Sequence, residues 1–325
     1  MDDRRSFLKK TALLSTALIT SNSLLSMAAE PYLNKKVREI GLQLYTIRDV
    51  LNQDVRSSIQ KVAGIGYQHV ETFYGYQKND AAAKLWGLTV PELSSLLKDN
   101  QLKTYSGHYQ LNDFLTIGNG DDSALKYQID IAAALGQKYF IVPVPPVMLL
   151  DKLGKTEFQY MAAQLNKAGE LCAKAGLTVG YHNHFWEFRQ LADGGKGYDI
   201  LLNETDPELV TFELDLFWIK KSGINPIDYF EKYPKRFSMW HVKDMDKNNT
   251  AVITGGALDK APSKDVLTGI SYAEVGTGYI DFKDIFKGEK KSGLKHIFVE
   301  QDVIKIDPFT SIKQSFDYVK QNIVK

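Results

Sequence analysis

Short apolar runs alternate with longer segments of helical periodicity from about residue 37 onwards. Each run is rich in Val, Ile, Phe and Tyr and is nearly continuous, which is typical of parallel strands covered by helices. The pattern predicts eight strands: Val37–Tyr45, His69–Phe73, Lys103–His108, Tyr139–Val144, Leu177–His182, Val210–Asp215, Phe237–Val242 and His296–Glu300. It predicts helices near Asp54–Ala63, Val90–Asn100, Asp122–Leu135, Phe158–Ala175, Tyr198–Asn203, Pro226–Phe230, Phe282–Phe286 and Pro308–Val324.

Eight strand–helix repeats predict an α/β fold, a single-domain (β/α)8 TIM barrel over residues 30–325. A doubly wound open sheet is the alternative, but its Gly-rich turn after the first strand is missing, because Leu44-Tyr45-Thr46-Ile47-Arg48 follows that strand. The long connection from Met245 to Tyr279 predicts a functional loop, of the kind that forms a lid.

Residues 1–29 predict an export signal. Arg4-Arg5 followed by Ser-Phe-Leu-Lys resembles the bacterial twin-arginine signal, with Asp3 where Ser or Thr is usual. The run from Thr11 to Met27 is too polar for a stable span of about 20 residues, and Ala28-Ala29 suits cleavage. We therefore expect a periplasmic protein with no stable membrane span after cleavage.

Charge and cysteine content exclude several classes of function. The chain has 40 basic and 39 acidic residues, and removing four basic and two acidic ones with the signal leaves 36 and 37. This balance gives no attraction to nucleic acid. The single cysteine, Cys172, excludes a cysteine-rich metal site. Any metal must therefore be held by His and carboxylates.

Ionisable side chains end six of the eight predicted strands. They are Glu71, His108, His182 with His184, Asp215, His241 and Glu300. In a barrel these positions converge on the active-site mouth, where a shared divalent ion is the simplest partner for so many buried ionisable groups.

Four of these residues, His182, Asp215, His241 and Glu300, fit a metal site. Two imidazoles with two carboxylates favour Mn, Zn or Fe over Mg. His182 and His184 point to the same side of their strand, so either one can be the ligand, whereas Asn183 faces outward.

Four motifs carry a family resemblance: Thr178-Val179-Gly180-Tyr181-His182-Asn183-His184, Glu213-Leu214-Asp215, His241-Val242-Lys243-Asp244 and Phe298-Val299-Glu300. With Gly276-Thr277-Gly278-Tyr279-Ile280-Asp281-Phe282, they resemble the xylose-isomerase-like barrel superfamily, which includes sugar phosphate isomerases, ketose 3-epimerases, inosose dehydratases and endonuclease IV. The resemblance implies the same four metal ligands. It is strongest toward the inosose dehydratases.

Two departures from the family pattern bear on the chemistry. His182 replaces the first metal-binding Glu, so the symmetric glutamate pair of the epimerases is reduced to Glu300. Trp218 replaces a His that many members carry after the Asp of the sixth strand, which weakens the nuclease interpretation.

Aromatic residues near the strand ends predict a carbohydrate ligand. Trp86, Trp186, Trp218 and Tyr74 are expected to contact it, joined by Tyr76 and Trp240, although Trp240 is equally well explained as core. Lys243 is expected on the inward side with His241, where it can polarise a carbonyl, the alternative being an exposed rim lysine.

The predicted activity is metal-dependent sugar isomerisation or epimerisation through an enediolate. Glu300, His184, Lys243, Glu71 and His108 are the expected catalytic residues. Two alternatives stay open: a dehydratase or lyase, inosose-dehydratase-like or cleaving a 3-keto-glycoside, and a non-catalytic exported carbohydrate-binding barrel. The expected partners are a small carbohydrate and no nucleic acid, and the sequence is compatible with a homo-oligomer.

Overall fold

The structure is a computed structural model that describes residues 39–74 and 84–324. The predicted export signal, Tyr76 and the side chain of Tyr74 lie outside what it describes. Among the described residues, no helix combines the length and the apolar character needed to cross a membrane.

Eight parallel strands close into a barrel in the order β1-β12-β9-β8-β7-β6-β5-β2. They are β1 (Gly41–Gln43), β2 (His69–Tyr74), β5 (Lys103–Tyr109), β6 (Tyr139–Val142), β7 (Thr178–His182), β8 (Val210–Asp215), β9 (Phe237–Val242) and β12 (His296–Val299). Two small antiparallel strand pairs stand outside the barrel, β3 (Lys84–Leu85) with β4 (Leu88–Thr89) and β10 (Asp244–Met245) with β11 (Tyr272–Ala273). The predicted α/β fold, a single-domain (β/α)8 TIM barrel, is confirmed.

Helices connect the strands and cover the barrel. They are α1 (Arg48–Gln53), α2 (Val55–Ile65), α3 (Val90–Asp99), α4 (Ser123–Ala134), α5 (Lys155–Lys174), α6 (Gly197–Glu204), α7 (Leu216–Lys221), α8 (Pro226–Lys232), α9 (Ser263–Thr268), α10 (Phe282–Ile285), α11 (Glu289–Ser292) and α12 (Pro308–Asn322). Four of these helices are not predicted from the sequence, and each has six residues or fewer: α1, α7, α9 and α11. A helix that short presents less than two turns of periodicity.

Local capping chemistry begins α3 and α12 at the residues that the sequence predicts, whereas α5 begins at Lys155 and not at the predicted Phe158. At α12, the Asp307 side chain accepts from the Thr310 N–H at 2.8 Å, and Pro308 takes the first helical position. At α3, Glu92 reaches back to the backbone N–H of Thr89 at 2.8 Å.

The barrel interior divides into an apolar lower part and an ionisable upper part. Tyr139, Ile141, Met239 and Phe298 form a separate buried cluster. Gly41 lies beside His69, and a Cβ added at Gly41 would come 2.2 Å from its Cε1 atom. Glycine at this position therefore makes room for the buried imidazole. The ionisable side chains follow at the carboxyl ends of the same strands.

The connection after β9 is more regular than the loop predicted for Met245–Tyr279. It contains β11, α9 and a 3-10 turn at Ala257–Lys260. Its helix α9 is tied to the chain after β7, because the indole N–H of Trp186 donates to the Ser263 hydroxyl at 2.6 Å. Motion of this segment as a lid stays a prediction.

Candidate metal centre and active site

The structure brings together the four residues expected to bind metal. One potential ligand atom each of His182, Asp215, His241 and Glu300 lies within 4.8 Å of all the others, and all four residues are buried. Opposite ligands of one ion stand about 4.2 Å apart when metal–ligand bonds are about 2.1 Å long. The donor set therefore has nearly the spacing and the chemistry that a divalent transition metal requires.

Each of the two histidines directs its second nitrogen to a buried carboxylate. His182 faces Asp215 Oδ2 through Nε2 at 3.8 Å, and its Nδ1 lies 3.1 Å from Glu213 Oε2. His241 faces Glu300 through Nδ1 at 2.8 Å, and its Nε2 lies 2.7 Å from Glu71 Oε2. Carboxylates behind metal-binding imidazoles fix the ring tautomer and orientation, and this arrangement supports the fit to a metal.

A second group of possible ligands overlaps the first. It consists of His108, His182, Glu213 and His241, and uses the opposite nitrogens of the same two rings. A neutral imidazole offers one lone pair, so His182 and His241 cannot serve both groups at once. The residues therefore suit one ion. The group with two carboxylates, His182, Asp215, His241 and Glu300, suits it best.

The buried charges also call for a cation. Glu71, Glu213, Asp215 and Glu300 are at most 5% exposed, and the Lys243 ammonium and the His108 imidazole lie among them. Burying several carboxylates is costly unless cations compensate them. A divalent ion is a compensation that these residues are arranged to hold.

Lys243 is fully enclosed, so its interpretation as an exposed rim lysine is wrong. Its Nζ lies 2.6 Å from Glu300, 3.0 Å from Asp215 and 2.9 Å from Asp302. Burial works to lower the pKa of Lys243, but these carboxylates outweigh it and hold the pKa well above its usual value. At Glu300, burial works in the other direction and raises the pKa, because it again disfavours the charged form. Lys243 and His241 outweigh it and hold the pKa of that carboxyl well below its usual range.

His108 and Glu213 form a charged pair beneath the cavity, with Nε2 and Oε2 2.8 Å apart. Burial opposes the imidazolium, but Glu71 and Glu213 prevail and raise the pKa of His108 to about 9. Burial also opposes the Glu213 carboxylate, but His241 and His108 lower its pKa to about 2. Since His108 also lines the cavity, it presents a proton donor to a bound molecule.

His184 is a neutral imidazole held between two tryptophans. Its ring centre lies 4.8 Å from that of Trp186 and 5.2 Å from that of Trp218. Burial and the neighbouring His182 hold the pKa of His184 well below its usual value. Its Nδ1 has no hydrogen-bond partner among the described residues. His184, Trp186 and Trp218 all line the cavity, where the sequence predicts them.

Two expected site residues, Glu71 and Trp86, do not line the cavity, and Trp240 has the core position that was its alternative interpretation. Glu71 is fully buried behind His241 and does not line the cavity, because its strand position places it below the metal group. Trp86 packs against Phe73 at 5.2 Å and reaches the cavity wall only through that residue. Trp240 stacks on Phe230 at 4.9 Å and belongs to the core.

Asn183 faces away from its two histidine neighbours, as expected, and supports the site from outside. Its side-chain oxygen accepts from the backbone N–H of Asp215 at 3.0 Å. This bond ties the end of β7 to the end of β8 and so holds His182 beside Asp215.

The open space above the metal group is a cavity of about 550 Å³. Its floor includes His108, His182, His184, Glu300 and Asp302. Its walls and rim are formed by Tyr45, Arg48, Phe73, Gln110, Pro143, Val144, Val147, Trp186, Trp218, Leu267, Tyr272 and Val303.

Two residues that complete the ionisable cluster, Glu213 and Asp302, are not predicted from the sequence. Glu213 precedes Asp215 by two positions and Asp302 follows Glu300 by two, so each points to the same side as a predicted ligand. That spacing was the available signal.

Asp244 connects the motif His241-Val242-Lys243-Asp244 to the motif that runs from Gly276 to Phe282. Its carboxylate accepts from the backbone N–H groups of Gly276 at 2.9 Å, Gly278 at 3.0 Å and Ile280 at 3.1 Å. Gly278 passes so close that an added Cβ would lie 2.4 Å from Asp244 Oδ1. These motifs therefore fix the chain beside Lys243, and their role in the described structure is to position that residue.

The chain is similar to inosose dehydratases and to a sugar phosphate isomerase/epimerase. An inosose dehydratase of Clostridium beijerinckii is 31% identical over 173 residues, which is 51% of this chain and 54% of that protein. The chain thus spans about half the length of the curated relatives it matches. A crystal structure of a sugar phosphate isomerase/epimerase from Parabacteroides distasonis is 26% identical, with a TM-score of 0.72 over 89% of this chain and 95% of that one.

Two more distant crystal structures share the fold and contain metals. The IolI protein with a bound zinc atom is 14% identical, with a TM-score of 0.66 over 88% of this chain and all of that one. A Mycobacterium smegmatis barrel in complex with magnesium is 12% identical, with a TM-score of 0.63 over 89% of this chain and 97% of that one.

Residues 59–321 match the family described as xylose isomerase-like TIM barrel, so most of the barrel is covered by one family assignment. The chain belongs to the xylose isomerase-like TIM barrel family.

Proposed function

We propose that the protein is a metal-dependent isomerase or epimerase that acts through an enediolate on a sugar or keto-sugar. One observation carries the proposal: His182, Asp215, His241 and Glu300 group four ligand atoms beneath a cavity of about 550 Å³. The sugar isomerase/epimerase among its structural neighbours and the inosose dehydratases among its relatives support an enzyme of this chemistry.

Mn, Zn or Fe suits the two-imidazole, two-carboxylate set best, and Mg²⁺ is less favoured because it prefers oxygen ligands. When bound, such an ion supplies Lewis-acid polarisation of the carbonyl and the neighbouring hydroxyl oxygen of a hydroxy-ketone. This polarisation acidifies the C–H bond of the carbon that carries the hydroxyl group.

Glu300 is the group that removes this proton in our proposal. It lines the cavity, and Lys243 and His241 hold it in its carboxylate form. His184 is neutral and lines the same cavity, so it is suited to accept or return a proton on its own side. Lys243 orients Glu300 through their 2.6 Å contact.

Deuterium incorporation tests the proposal directly. Protein loaded with Mn²⁺ is incubated in D₂O with a panel of ketoses, inososes and 3-keto-glucosides, and proton loss beside the carbonyl is followed by NMR. We expect exchange with at least one substrate, and a reduction of about 10²-fold or more in Glu300→Gln. The exposed Glu208→Gln is the matched control. Binding of sugars without any exchange would instead favour the carbohydrate-binding barrel.

A dehydratase or lyase is the second candidate, and His108 is the observation that favours it. With a pKa of about 9 and a place in the cavity lining, His108 can protonate a departing hydroxyl or glycosyl oxygen. Elimination would produce an enone that absorbs in the near ultraviolet, whereas isomerisation or epimerisation would not. That absorbance separates the two reactions.

We also propose that the protein acts in the periplasm, because residues 4–10 resemble a twin-arginine signal. Fractionation of cells that express the full chain tests this location. Recovery of the protein solely with the cytoplasm would overturn it.

A further inference from the structure

The mouth of the cavity is unusually apolar. Ten large hydrophobic side chains among the described residues are exposed, and four of them line this one cavity: Tyr45, Val147, Leu267 and Val303. Scattered exposed hydrophobic residues need no explanation, but a concentration around one opening indicates a binding surface.

These four side chains come from separate segments of the barrel. Tyr45 follows β1, Val147 follows β6, Leu267 belongs to α9 and Val303 follows β12. Below them, Phe73, Pro143 and Val144 continue the apolar lining towards the floor. The convergence of distant segments on one continuous wall is the arrangement expected for a ligand site.

The floor has the opposite character. His108, His182, His184, Glu300 and Asp302 offer imidazole and carboxylate groups to a polyhydroxylated ring. A cavity of about 550 Å³ falls in the range of roughly 300–1,000 Å³ that holds drug-sized ligands, so one sugar ring on the floor leaves the apolar upper part unfilled.

We propose that the ligand is a glycoside with an apolar aglycone, whose sugar ring lies on the ionisable floor and whose aglycone packs against Tyr45, Val147, Leu267 and Val303. The sugar half of this inference rests on the proposed function, whereas the aglycone half rests on the rim alone. Arg48 completes the rim, with its guanidinium 4.3 Å from the centre of the Tyr45 ring, and so presents a stacked cationic and aromatic pair to an aryl group.

Paired glycosides test the inference by calorimetry on Mn²⁺-loaded protein. The probes are the methyl and phenyl β-glycosides of glucose, galactose and mannose, with phenol as a separate probe. We expect at least one phenyl glycoside to bind about tenfold or more tightly than its methyl counterpart. In the double variant Val147→Ser, Val303→Ser, the ratio should fall below about threefold while methyl glycoside affinity is kept.

Val252→Ser is the matched control, because Val252 is similarly exposed but does not line the cavity. It should retain the phenyl preference, and unchanged melting temperatures should show that all variants fold. Equal binding of methyl and phenyl glycosides would overturn the aglycone site and leave the sugar site standing. Failure of both glycosides to bind would overturn the glycoside inference, whereas the proposed function is decided separately by deuterium exchange on the keto-sugar panel.

Two further outcomes would reassign the rim. Binding of phenol as tightly as of the phenyl glycosides would identify the ligand as a simple aromatic compound. Dimerisation in sedimentation experiments, lost in the double variant, would identify the rim as a contact between two copies of the chain.

Discussion

Nδ1 of His182 lies 3.1 Å from Oε2 of Glu213, on the side of the ring opposite to Asp215. Since an imidazole that binds a metal through Nε2 must carry its proton on Nδ1, the Glu213 carboxylate receives that proton in a hydrogen bond. Glu213 thereby fixes the orientation of the His182 ring as a metal ligand.

Replacing Glu213 with Gln should weaken metal binding without removing the ligands. We expect the Kd for Mn²⁺ or Zn²⁺ to rise about 10- to 100-fold, because the imidazole loses the carboxylate that orients it. Competition with a fluorescent chelator measures this constant. Glu208→Gln should leave it unchanged, and an unaltered Kd in Glu213→Gln would refute the positioning role.

Removal of His241 should abolish stable metal binding. Elemental analysis of purified wild type should find about one equivalent of Mn, Zn or Fe, and His241→Ala should carry little, because one imidazole of the four-residue group is lost. His296→Ala alters a histidine that belongs to neither candidate metal group and should keep the metal. Full metal content in His241→Ala would place the ion elsewhere.

The metal-free barrel should lose stability as the pH rises above neutrality. The pKa of His108 is raised from 6.5 to about 9, so the stability it contributes is complete below pH 6.5 and is lost as the pH rises through 9. Urea unfolding of chelator-treated protein should show a decline of at most about 1.4 kcal/mol per pH unit from this group between pH 7.5 and 9.5. His108→Gln should show a shallower decline, and identical slopes would contradict the assignment.

Two glycine substitutions should have opposite effects on stability. Gly41→Ala forces a methyl group to within 2.2 Å of Cε1 of His69, and we expect a loss of about 1–3 kcal/mol or more in the free energy of unfolding. Gly64→Ala meets nothing within 4 Å inside α2 and should gain up to about 1 kcal/mol. Thermal and urea denaturation measure both. A neutral Gly41→Ala would mean that the packing around His69 adjusts easily to the added methyl group.

The strands were the most predictable part of the fold. Val210–Asp215 and Phe237–Val242 have the bounds that the sequence predicts, because both are short runs rich in β-branched and aromatic residues. The first strand was predicted as Val37–Tyr45, but β1 covers Gly41–Gln43 and a 3-10 turn begins at Leu44. The turn satisfies its backbone locally, through the Gln43 side chain and the Tyr45 N–H, and hydrophobicity does not report such a bond.

The candidate site was predictable where strand periodicity decides the direction of a side chain. The metal group followed from His182, Asp215, His241 and Glu300 as strand-end residues, and Lys243 from its spacing to His241. Strand periodicity does not report how deep a side chain lies along the barrel axis. Glu71 was therefore expected at the cavity, but it lies behind His241. The apolar rim was also missed, because its residues lie in loops and short helical turns that show no periodic pattern.

Lys243 has a consequence for the order in which this protein is assembled. Its ammonium group already contacts Asp215 and Glu300, the two carboxylates of the metal group. An incoming ion therefore competes with an internal counter-ion for the carboxylates of Asp215 and Glu300. We expect the chain to fold first and acquire its ion afterwards, and to stay folded when the ion is withdrawn, because Lys243 still pairs with both carboxylates.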